Sequence, residues 1–112
     1  MLSWSSNKSG TPADISAIAD GEGNAGLPYG AELVAFTDAV AGVDAAALVA
    51  ARAALVASAG ESFMIDAAAV VANFEMMTRV ADGTGARFAD EGADRRAAIG
   101  EKLHINEFTS AR

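Results

Sequence analysis

Cysteine is absent from this 112-residue chain. That excludes disulfides, thiolate nucleophiles and thiolate metal sites together. Histidine occurs once, as His104, whereas a metal site draws several imidazole or carboxylate ligands together. Neither a metal nor a cofactor is therefore expected. Basic residues are also scarce. Eight Lys and Arg stand against fifteen Asp and Glu, for a net charge of −7, and only Arg95 and Arg96 are adjacent. A nucleic-acid binder presents a basic face, so DNA, RNA and anionic membranes are not expected partners. Long apolar runs are missing too, since none free of charge approaches the ~20 residues that span a bilayer. Residues 1–10 hold Trp4, several serines and one lysine but no apolar run, which reads as neither a leader peptide nor an anchor. A cytoplasmic protein is the default expectation, with residues 1–10 a flexible arm and 11–112 a single helical domain.

What the chain has in excess is alanine, 28 residues of 112. Alanine is the strongest helix former and lets helices approach closely, at the expense of large apolar surface. β-branched residues are few and alternation never persists, so no strand pattern competes. The expectation is an all-α bundle of about five helices, at 12–20, 28–41, 44–59, 62–82 and 88–103. Thr11 and Pro12 suit a helix start, and Asp14 suits the positive end of its dipole. The run Gly21 to Gly26 breaks that helix. It contains a formal GxGxxG, but no strand precedes it, so it reads as a loop and not as a dinucleotide cradle. Leu27-Pro28-Tyr29 opens the second helix, in which Leu33, Phe36 and Val40 recur at helical spacing. Gly42 ends it and Asp44 caps the third, which carries Leu48, Leu55 and Val56 and stops at Gly60. With about three residues between them, these two helices should form an antiparallel hairpin.

Ser62 is the expected cap of the longest segment. Met64, Ala67, Val70, Val71, Phe74, Met77 and Ala81 form its stripe, and Gly83-Thr84-Gly85 is its stop. From Ala67 to Ala72 it is apolar on nearly every side, the pattern of a helix covered on most faces. More apolar surface than one layer of neighbours can cover points to a homo-oligomer through this helix, with a two-fold dimer the first expectation. Asp66 would complement the helix dipole. In the last helix Ile99 and Leu103 point inward.

Three polar residues are the candidates for chemistry. Asn73 interrupts the apolar run, where an amide would bond a neighbouring helix or line a polar pocket. Glu75 is an acid/base candidate in the same region, although Arg79 four residues on makes an exposed ion pair the simpler reading. His104 is the only imidazole and follows a helix end, where it can meet the last carbonyls.

The segment from Leu27 to about Phe108, some two thirds of the chain, resembles the carboxymuconolactone decarboxylase/alkylhydroperoxidase-D-like superfamily. The resemblance is carried by ELVAFTDAV at 32–40, by FMIDAAAVVANFEMMTRVADGTG at 63–85 and by GEKLHINEF at 100–108. It implies an all-α fold that assembles through helix packing into dimers, trimers or hexamers. The peroxidase branch of that superfamily uses a CxxC pair with a following His and a nearby Glu. This chain has no Cys, so thiol peroxidase activity does not carry over. The decarboxylase branch does not depend on CxxC, but none of its acid/base residues is matched here.

Two functions follow as expectations. The first is a non-catalytic, oligomeric helical domain of the alkylhydroperoxidase-D-like type that binds a small-molecule ligand or a protein partner. The second is a decarboxylase-like enzyme acting on a small carbonyl or lactone substrate, with Asn73, Glu75 and His104 as its polar groups. A pocket that gathers the three favours the enzyme, and their dispersal at the surface favours the first.

Overall fold

The computed structural model describes residues 8, 10, 13–16, 24–87 and 90–105. Among these the regular structure is entirely helical: α1 (Gly30–Ala41), α2 (Ala45–Ala59), α3 (Glu61–Thr84) and α4 (Ala93–Lys102). The all-α expectation therefore holds, with four helices among the described residues where five were expected along the chain. The expected helix at 12–20 falls mainly outside the described residues, as do the arm at 1–10 (but for residues 8 and 10), Gly21 to Gly23, Phe88 and the segment 106–112.

The second expected helix begins at Gly30, two residues later than Pro28. Residues 24–29 are used instead in a tight turn. Asn24 accepts a hydrogen bond from the Gly26 N–H through its side chain and one from the Leu27 N–H through its carbonyl, both 2.9 Å. Ala25, Gly26 and Tyr29 all have left-handed backbones, and Tyr29 at φ 57° cannot continue a helix. A Cβ at position 30 would overlap the carbonyl of Asn24, so this turn and this helix can meet only at a glycine.

Asp44 caps α2 as expected, its carboxylate accepting from the N–H groups of Ala46 (2.8 Å) and Ala47 (3.1 Å). Gly42, Val43 and Asp44 link α1 to α2. The hydroxyl of Ser58, in the last turn of α2, donates to the carboxylate of Glu32 in the first turn of α1 at 3.0 Å. The hairpin is thus antiparallel, as its short link requires.

Between α2 and α3 stands one residue, Gly60, at φ 91° and ψ 163°. That combination is essentially closed to residues with a side chain. Its N–H still bonds Val56, and its carbonyl receives Met64. It closes one helix and opens the next, so Ser62 lies inside α3 and caps nothing. With the start at Glu61, Asp66 falls beyond the first turn, and Glu61 takes the place beside the dipole. At the other end Gly83 remains helical. The helix stops only where Gly85 turns left-handed, with the N–H of Ala86 reaching back to Ala81 at 3.0 Å.

The last helix begins at Ala93, later than the expected 88, because Gly92 is left-handed and the chain turns through Asp90–Ala93. The Arg96 guanidinium donates to the carbonyl of Glu91 at 2.7 Å and braces that turn. Ile99 and Leu103 are half-buried, in line with the inward positions expected for them.

The helices α1, α2 and α3 pack against one another, whereas α4 barely touches them. The core is small. Phe36 of α1 and Leu55 of α2 are sealed from solvent, and Val71 of α3 is 9% exposed.

Candidate functional site

The 24-residue α3 is about 36 Å long and uses only part of its surface inside the chain. Met64, Ala67 and Ala68 are half-buried and Val71 is buried, and these four mark the face turned to α1 and α2. One, two and three turns further along the same face stand Glu75, Thr78 and Asp82, which are polar. The packing therefore ends at Val71, and every residue from Ala72 to Arg87 is exposed. The expected covering on most sides does not occur: one side is covered, over the first half only.

The uncovered surface is apolar. Ile65, Val70, Phe74, Met76 and Val80 are each 56–59% exposed, Met77 49% and Phe63 37%. Phe63 is the most sheltered because its ring meets that of Tyr29 edge-on at 5.6 Å. Fully exposed, side chains of this size present roughly 150–200 Å2 each, so the seven leave on the order of 600 Å2 of apolar surface in water. That is the upper end of what a monomer ordinarily tolerates as one patch.

Two rows make up this surface. One runs Phe63, Ala67, Val70, Phe74, Met77, Ala81, in alternating steps of four and three. The other contains Ile65, Ala69, Ala72, Met76 and Val80. The second row escapes a reading of the sequence by its dominant stripe. The recurrence of apolar residues three and four apart away from that stripe was the signal for it.

The three polar candidates do not meet in a pocket on α3. Asn73 and Glu75 are two positions apart on one helix, which turns them to nearly opposite sides. Glu75 forms the exposed i,i+4 pair with Arg79 at 3.5 Å. The Asn73 amide lies 3.6 Å from the sulfur of Met77. His104 is exposed in a left-handed conformation just past the end of α4, its N–H bonded to the carbonyl of Glu101. Among the described residues no polar or charged side chain is buried. No group of three or more His, Asp or Glu among them could hold a metal ion. Asp14 lies outside the four helices, and its carboxylate is braced by a residue two positions on. The hydroxyl and N–H of Ser16 both donate to its carboxylate, at 2.6 and 3.0 Å, and hold it below the ordinary aspartate value, with the charge of Lys102 a smaller contribution.

An open groove of about 440 Å3 runs between α1 and α2. Alanines 35, 39, 47, 50, 51 and 54 line it, and Asp38 is its only polar side chain. It offers contact area but no converging polar groups. No helix among the described residues is long and apolar enough to cross a membrane.

No protein-family profile matches the chain, and neither a curated protein nor a solved structure is significantly similar to it.

Proposed function

We propose that this protein is a non-catalytic helical domain of the alkylhydroperoxidase-D-like type, whose task is self-association through α3. One observation carries the reading: the long helix leaves on the order of 600 Å2 of apolar side chain uncovered, close to the ~800 Å2 that each partner buries in a standard interface. The dispersal of Asn73, Glu75 and His104 over exposed positions weighs against the decarboxylase-like reading. The words shared with the superfamily lie largely in α1 and α3, the helices that the reading needs.

Light scattering at micromolar concentration tests it. A mass that is a multiple of 11.3 kDa is expected. Phe74→Asp would place a charge in the middle of the interface, where losing a central anchor costs about 2 kcal/mol or more, a weakening of about thirtyfold. A wild-type protein that stays at the mass of one chain would overturn the reading. A dimer indifferent to Phe74→Asp would move the interface off this face.

A further inference from the structure

We infer that two copies of α3 pair antiparallel about a two-fold axis that passes between them at the level of residue 72. This inference rests on α3 being the self-association surface, and it adds the orientation and the register.

The row Phe63, Ala67, Val70, Phe74, Met77, Ala81 advances by alternating fours and threes, the repeat with which two helices keep one seam in contact. Four of its members, Phe63, Val70, Phe74 and Met77, are large and between 37% and 57% exposed, and Ala81 is exposed beside them. Ala67, half-buried at the edge of the face turned to α1 and α2, is the one partly covered member, and the rest of the seam lies open.

Side-chain volume then fixes direction. In a parallel pair each residue meets its own copy. Phe74 would face Phe74 and Phe63 face Phe63, while Ala67 and Ala81 would face alanine across an unfilled gap. Overpacking and voids both cost stability, and that arrangement contains both. In an antiparallel pair centred on residue 72, the positions in contact sum to 144. Phe63 then meets Ala81 of the second copy, Ala67 meets Met77, and Val70 meets Phe74. In each pair the larger side chain faces the smaller, so the seam fills evenly from end to end.

The helix dipoles point the same way, since an antiparallel pair sets the positive end of each α3 beside the negative end of the other.

The absence of native cysteine gives a clean background for the test. Ala67→Cys and Met77→Cys are made separately, and the two proteins are mixed, allowed to exchange subunits and oxidised with diamide. The expected result is a disulfide between position 67 of one chain and position 77 of the other, with neither variant cross-linking to itself. In the antiparallel pair two copies of position 67 stand about 15 Å apart along the axis, far beyond disulfide reach. Self-cross-linking of Ala67→Cys would mean parallel helices and would overturn the proposal. So would a dimer, verified by mass, in which no combination cross-links. A second measurement does not depend on bond formation. Nitroxide labels on Ala81→Cys should lie about 27 Å apart along the axis in the antiparallel dimer, against a helix spacing of about 10 Å in a parallel one. A wild-type protein that is monomeric by light scattering would remove the self-association surface itself. A dimer with the wrong cross-links or label distance would remove only the register.

Discussion

Gly30 is the residue on which the entry to α1 depends. The carbonyl of Asn24 occupies the place where any other side chain would begin. Gly30→Ala must therefore push the turn at 24–29 away from the helix, and Tyr29, whose ring meets Phe63, moves with it. The expected loss is about 1–3 kcal/mol in urea unfolding, the range for forcing extra volume into a packed place. An unchanged midpoint would mean that the turn shifts without resistance. Asp14 allows a second prediction. Its carboxyl titrates below the ordinary aspartate value because Ser16 bonds the ionised form twice. A depressed folded-state value gives stability that is present above the unfolded-state value and is lost as pH falls through the folded one. In a carbon-detected NMR titration, Ser16→Ala should raise the Asp14 midpoint toward its ordinary value. No movement would mean that these bonds do not form in solution.

Each helix separates what a sequence shows from what it conceals. The start of α2 was legible because Asp44 signals its own role: a short acceptor before an alanine run caps whatever follows. The end of α3 was not. Three candidate stops stood in a row, and only the backbone decides that Gly83 stays helical while Gly85 turns left-handed. The start of α4 slipped for the same reason at Gly92. The candidate site divides likewise. The Glu75–Arg79 pair follows from spacing alone, whereas the buried face of α3 depends on which partners the chain brings to it. Met64, Ala68 and Val71 had equal claim with Phe74 to an outer surface until α1 and α2 covered them. Within α3 this leaves two stretches of unlike protection. Amides at 64–71 lie against the hairpin, and those at 72–84 have solvent all round in a single chain. Hydrogen exchange should be slow over 64–71 at any protein concentration. Over 72–84 it should slow as concentration rises and the seam becomes covered. Equal protection throughout at nanomolar concentration would contradict this division.

The three helices that pack together enclose one sealed side chain from α1, one from α2 and a nearly sealed one from α3. A core this slight offsets little of the entropy lost on ordering the chain, so in the proposed dimer burial between chains would be coupled to folding within each. The joint between α2 and α3 bears on that coupling. Gly60 supplies the whole change of direction by itself, in a conformation that side chains resist. Nothing else there could share the bend. Gly60→Ala would remove the reason for the bend and favour one unbroken rod over 45–84, about 60 Å long. The far half of such a rod cannot return to its own α1, but it can lie against the α1–α2 pair of another chain, giving a domain-swapped dimer. Gel filtration of Gly60→Ala should then show a dimer that does not dissociate on dilution and exchanges subunits only after unfolding. If the variant dissociates as readily as the parent, the bend is maintained by the packing of α3 and not by its glycine.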